Sequence, residues 1–176
     1  MLTQLTFVLL AVAVCPAWTA EPATDEYRVK GAFLLNFARF VDWPPQAFKG
    51  PAEPISICVL GTNPFGAALD QAARSVTAGT RGVVVRQIAE AQLARQCHLV
   101  FVSVAERRRS RQLLEAVRGG NVLTVGEFDG FVPGGGVIGL SVEDGKIRME
   151  ISTAAADRAG LHISAKLLSL AQAGKK

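Results

Sequence analysis

The chain is poor in the side chains on which most enzymes and metal proteins depend. It contains two histidines and three cysteines among 176 residues. No H-E-x-x-H, C-x-x-C or G-x-S-x-G spacing occurs, so the signatures of a zinc peptidase, a dithiol oxidoreductase and an α/β-hydrolase are all missing. The acids Asp42, Asp70, Glu90, Glu143 and Asp144 fall in different predicted elements and form no acid–base pair. One tyrosine and two tryptophans leave little aromatic surface for base stacking, and the net charge of +4 comes from 19 basic and 15 acidic residues spread along the chain. That pattern does not predict nucleic-acid binding. No apolar run reaches the roughly 20 residues needed to span a bilayer as a helix.

The longest such run, LTFVLLAVAV from Leu5 to Val14, has the length of a signal-peptide core and is followed by small residues. Residues 1–20 therefore read as an export signal, cut after Ala17 or Ala20, although residues 1–4 lack a basic side chain. Cys15, between Val14 and Pro16, suits lipid attachment poorly and is expected to leave with the signal. Residues 21–176 then make one domain, since about 155 residues bury enough surface to fold without a metal. In an oxidising compartment the two remaining cysteines, Cys58 and Cys97, are expected to form a disulfide. The bridge closes a loop of about 40 residues, for which the chain-entropy model gives about 4 kcal/mol.

From Thr24 the pattern is helical, with Asp25 and Glu26 in the first turn. Val29, Phe33, Phe37 and Phe40, with Tyr27, Leu34, Ala38 and Val41, make a broad apolar face that Pro44 and Pro45 terminate. Lys30 falls inside that arc, either as a buried functional amine or, more in keeping with its type, with its stem snorkelling to water. Strand and helix signals then alternate. ISICVLG (55–61), VVVRQI (83–88), CHLVFVS (97–103) and NVLTV (121–125) read as strands. The helical segments are Phe65–Ala73 behind an Asn63-Pro64 start, Glu90–Arg95, and Glu106–Arg118 closed by Gly119 and Gly120. Apolar strands bounded by helices predict an α/β fold: three layers, a mostly parallel sheet flanked by helices. VIGLSV and KIRMEI around Asp144-Gly145 predict an antiparallel hairpin added to its C-terminal side. Gly160 is expected to cap one short helix, and Ser164 to start another.

Gly134, Gly136 and Gly139 spell G-x-G-x-x-G, but they run into a strand, whereas a pyrophosphate loop must open a helix. The expected work of Gly134 to Gly136 is conformational, letting the backbone take positive φ on the way into the hairpin, and no cofactor is predicted. Phe128 and Phe131 either pack beneath this loop or stand exposed as anchors for a partner. Arg107, Arg108, Arg111 and Arg118 form a basic strip, which is either a solvated helix face or a dock for an acidic partner.

In order, EYRVKGAFLLNFARFVDWP, ISICVLGTNPFG, CHLVFVS, VLTVGEFDGF, GGGVIGLSVEDGKIRMEI and AAADRAGLHISAKLLSLA resemble the YfiR family of periplasmic regulators. The resemblance implies a non-enzymatic repressor that holds the periplasmic sensor region of a YfiN-like membrane-bound diguanylate cyclase inactive, lowering cyclic di-GMP and biofilm formation. It also implies sequestration by a YfiB-like, OmpA-like outer-membrane lipoprotein, and a homodimer. The family's first cysteine pair falls on Cys58 and Cys97; the second pair of some members, around the glycine loop, is absent. The candidate partner contacts are Phe128, Phe131, Arg107, Arg108 and Arg111. An alternative is a periplasmic small-molecule sensor with its crevice near Gly61, Asn63 and Ser103, at carboxyl ends of strands. A hydrolase using Ser103 with a distant histidine is the weakest reading.

Overall fold

The computed structural model describes residues 24–173. The export signal expected at residues 1–20, with Cys15, lies outside the described residues. Helix α1 (Asp25–Phe40) starts where Thr24 Oγ1 accepts the Tyr27 N–H at 3.5 Å. Its buried stripe is Lys30, Gly31, Leu34, Leu35, Phe37 and Ala38, whereas Val29 is 49% exposed. The apolar arc expected from the sequence was therefore rotated, because Lys30 is inside and does not snorkel. The helix ends at Phe40, and β1 (Val41–Asp42) pairs antiparallel with β9 (His162–Ile163), a small ribbon that the sequence reading did not include.

Six further strands build the main sheet with β3 (Thr77–Ala78). They are β2 (Ile55–Leu60), β4 (Arg81–Ile88), β5 (Leu99–Val102), β6 (Leu123–Gly126), β7 (Ile138–Glu143) and β8 (Lys146–Ile151). The order is β3-β4-β2-β5-β6-β7-β8, with β4, β2, β5, β6 and β7 parallel and a strand added antiparallel at each edge. The expected mostly parallel sheet with a terminal hairpin is thus present. At its turn Asp144 and Gly145 have φ of 50° and 70°, the paired positive values of a type I′ turn.

All six residues of β2 are buried because alternate side chains enter different cores. Ile57 and Val59 pack with Leu99, Phe101, Leu123 and Val125 beneath α1, α2 (Ala68–Ala73) and α5 (Ala165–Ala173). Cys58 and Leu60 pack with Val100 and Val102 on the opposite side, under the 3₁₀ turn Ala91–Gln96 and α3 (Ser110–Ala116). Two covered faces give three layers. The expected disulfide joins Cys58 to Cys97 within this second core, with a Cα separation of 6.0 Å.

Helix boundaries moved for local reasons. The Asn63 start is a closed turn, with Phe65 N–H on Asn63 Oδ1 at 2.9 Å and Asn63 Nδ2 on the Gly66 carbonyl at 3.1 Å. Gly66 has φ of 54°, so α2 begins only at Ala68. The predicted Glu106–Arg118 helix is a 3₁₀ segment, Val104–Arg109, followed by α3. Its first turn closes through the Glu106 N–H to the Ser103 carbonyl, three residues back, which is the 3₁₀ pattern. Near the C-terminus, α4 (Thr153–Arg158) ends before Gly160, with φ of 65°, and Ser164 Oγ accepts the Leu167 N–H at the start of α5.

Candidate functional site

Parallel strands point their carboxyl ends to one edge, so Gly61–Gly66, Ser103–Arg109 and Glu127–Gly136 emerge side by side after β2, β5 and β6. Beneath them lies a charged cluster. Lys30 Nζ donates to Glu127 Oε2 at 2.5 Å, and their side chains are 4% and 1% exposed. Glu26 accepts a second bond from Lys30. Glu127 Oε1 receives the Tyr27 hydroxyl and the Val104 N–H, each at 2.9 Å. Burial, and then the bonded Glu127 carboxylate, raise the Tyr27 phenol well above its ordinary range. One carboxylate therefore fastens α1, the Val104–Arg109 turn and the loop after β6. A buried charge is tolerated here because both its oxygens are matched by donors.

The sequence reading singled out Lys30 but missed Glu127. The signal was an acid directly after the apolar strand VLTV together with a lysine on a buried helix face, two anomalies that only make sense as a pair.

The residue after Glu127 starts the glycine loop. Phe131 is 2% exposed and fills the loop, so it is an internal support and not an exposed anchor. A Cβ on Gly126 or Gly136 would come within 2.3 Å of its ring, which explains both glycines by packing. Within the stretch 134–136, where positive φ was expected, Gly135 has it, at 107°, and Gly134 and Gly136 do not. The loop amides are already used: Gly134, Gly135 and Gly136 donate to the carbonyls of Gly130, Val132 and Phe131 at 2.9, 2.9 and 3.0 Å. With those donors satisfied and β7 next in sequence, the loop offers no nest for a phosphate.

Phe128 is half-buried, meets Phe131 edge-on at 5.3 Å, and carries the Arg107 guanidinium 5.5 Å from its ring centroid. Arg107 also donates to the Asp129 carbonyl at 3.3 Å. Arg108, Arg111 and Arg118 are exposed, whereas Arg109 turns back to Glu106 and the Ala89 carbonyl. The break between the 3₁₀ turn and α3 means the arginines do not lie along one continuous helix. Beyond Phe128, a groove of about 590 Å³ separates Val132 and Pro133 from the β7–β8 hairpin.

The crevice expected near Gly61 is occupied by the protein itself. Glu106 lies where a Gly61 side chain would begin, and receives the Thr62 N–H at 3.4 Å. Ser103 is 3% exposed, and its hydroxyl has no partner among the described residues. His98 and Ser103 flank the four residues of β5, roughly 16 Å apart at about 3.3 Å per residue, so they form no dyad. His162 pairs with Asp42 in the small ribbon. Among the described residues no cluster of His, Cys, Asp or Glu has the makings of a metal site.

Residues 27–172 match the YfiR/HmsC-like family. The chain belongs to that family. Membership supports a periplasmic regulatory role in general, in a family that is regulatory and not catalytic. No helix among the described residues is long and apolar enough to cross a membrane. A crystal structure of a conserved domain protein from Vibrio cholerae O1 biovar El Tor is similar at 15% identity and a TM-score of 0.49, over 66% of this chain. The match spans 53% of that longer chain. No curated protein matches the sequence.

Proposed function

We propose that this YfiR-like protein is a periplasmic repressor that binds the periplasmic sensor region of a membrane-bound diguanylate cyclase and holds it inactive. Cyclic di-GMP and biofilm formation fall as a result. A YfiB-like outer-membrane lipoprotein would compete for the repressor, and a homodimer is the expected form. The observation that carries the reading, beyond family membership, is the Phe128 face: an aromatic held between Arg107 and the buried Phe131, with Arg108 and Arg111 exposed nearby.

The magnitudes favour such an anchored face over scattered charges. Moving a receptor from almost wholly active to almost wholly inactive requires a differential affinity of about 10⁴, or about 5.5 kcal/mol. Exposed ion pairs contribute about 0–1 kcal/mol each, so arginines alone fall short. Aromatic and arginine anchors in packed surroundings supply about 2 kcal/mol or more each.

The test is titration of the oxidised protein against the periplasmic region of a membrane-bound diguanylate cyclase from the same cell, with cellular cyclic di-GMP measured in parallel. Replacing Arg107, Arg108 and Arg111 by Glu should weaken binding at least about tenfold and raise cyclic di-GMP while leaving the melting temperature unchanged. Unaltered affinity in that variant would remove the arginines from the mechanism. The second reading, a small-molecule sensor, is favoured by the open groove beside Pro133. Saturable thermal stabilisation by a metabolite in the absence of any protein partner would support it.

A further inference from the structure

The amino end of the sheet holds a second polar centre, unrelated to the face above. His98, 4% exposed, sits just before β5. The Ser56 N–H donates to His98 Nδ1 at 3.1 Å, and Ser56 Oγ lies 3.0 Å from the same nitrogen. Nδ1 is therefore an acceptor, and the ring is neutral with its proton on Nε2. Nε2 is buried and makes no hydrogen bond of ordinary geometry among the described residues, the Ala47 carbonyl being the acceptor that acts on the ring. Phe48 stacks on the ring at 4.6 Å and Trp43 meets it edge-on at 6.2 Å, while Trp43 Nε1 donates to the His98 carbonyl at 3.1 Å. Both aromatics belong to the strap 43–54 between β1 and β2, whose one helical piece is the 3₁₀ turn Pro45–Ala47. The strap's other fastening is Arg81, whose guanidinium covers Phe48 at 3.7 Å and donates to the Gly50 and Glu53 carbonyls at 2.9 and 2.7 Å.

We propose that His98 is an acid-sensitive pin: taking up a proton forces its ring out from between Trp43 and Phe48 and frees the strap. A proton on Nδ1 would take the acceptor away from the Ser56 N–H and leave only Ser56 Oγ, which already accepts the His98 N–H at 3.2 Å, to receive it. The charged groups facing the ring add to the conflict. Lys49 and Glu53 on the strap and Arg95 on the Ala91–Gln96 turn line a cavity of about 160 Å³ with it, and Arg81 and Arg86 approach from β4. Glu53 is the single carboxylate among these, and it already accepts the Lys49 N–H.

Burial above all lowers the His98 pKa, and Arg81 and Arg86 push the same way, against the Glu53 carboxylate and the Ala47 carbonyl. The freed ring thus binds its proton at a higher pH than the pinned ring does. Below about pH 6.5 the open strap gains up to about tenfold in population per pH unit, until the pinned ring also titrates. Opening would present Trp43 and Phe48 to solvent at the end of the sheet opposite Phe128.

Hydrogen exchange of residues 43–54 in the oxidised protein, corrected for the intrinsic pH dependence of exchange, tests this between pH 8 and pH 5. The expected result is acceleration in the strap below about pH 6.5 with the centre of the sheet unchanged. In His98→Asn, whose side-chain oxygen can still accept the Ser56 N–H, the acceleration should vanish; in His162→Asn it should persist. An equal acceleration in His98→Asn, or none in the wild type, overturns the proposal. Should His98→Asn not fold, imidazole NMR of the wild type decides. His98 titrating at an ordinary histidine pKa, with strap resonances unmoved, is then the refuting outcome.

Discussion

The two ends of the sheet solve the same problem with opposite chemistry. At the carboxyl end a full charge pair, Lys30 and Glu127, is buried, and Tyr27 and Val104 complete the carboxylate's bonding. At the amino end His98 is buried neutral, with one nitrogen satisfied by Ser56 and the other left with no hydrogen bond of ordinary geometry, the Ala47 carbonyl being the acceptor that acts on the ring. In a matched pair each buried charge meets its counter-charge and its hydrogen bonds, whereas a lone imidazole remains in place only while it stays uncharged. Robustness at one end and sensitivity at the other follow from the partners supplied, and not from the depth of burial, which is similar.

The sharpest way to break that contrast is to remove half of the pair. Glu127→Ala should cost about 3–5 kcal/mol in chemical denaturation, since Lys30 is then buried without its main counter-charge. Lys30→Met combined with Glu127→Leu should recover most of the loss; equal destabilisation in the double variant would show that packing and not charge is at stake. Next in size is the disulfide beside His98. Replacing Cys58 and Cys97 by Ala should lower stability by about 4 kcal/mol on the loop-entropy model, and urea midpoints of oxidised and reduced wild type should differ in the same direction. Smaller again is Gly136→Ala, which drives a methyl into the Phe131 ring and should cost about 1–3 kcal/mol by overpacking. A neutral result would mean that the loop shifts freely.

The smallest effect distinguishes the ends by pH. Because the His98 pKa is lowered in the folded protein, the unfolded chain binds the proton first, so stability is complete above about pH 6.5 and falls as pH drops below it. The slope from this one group is at most about 1.4 kcal/mol per pH unit and should flatten in His98→Asn.

Much of the architecture could be read from local pattern. Strands such as ISICVL, with every side chain apolar or small, demanded two covered faces, and Asp144-Gly145 demanded a hairpin. Pattern failed where a partner far along the chain decided the outcome. Lys30 looked like a surface residue because its counter-ion lies 97 positions away. Phe128 and Phe131 were indistinguishable as letters, yet the bare backbones of Gly126 and Gly136 admit only the second ring to the interior. Nor does helix propensity report that the first free N–H of the segment before α3, at Val104, is capped by Glu127 from the loop after β6.

By itself the sequence determined the order of the longer strands and helices, the sulfur pair and the family, because periodicity, turn residues and motif spacing are properties of neighbours along the chain. Only the tertiary structure decided which charges are buried, which aromatic is offered outward and which histidine is buried. Those depend on groups that folding brings together across the sheet, where desolvation makes each polar atom depend on the partner it meets.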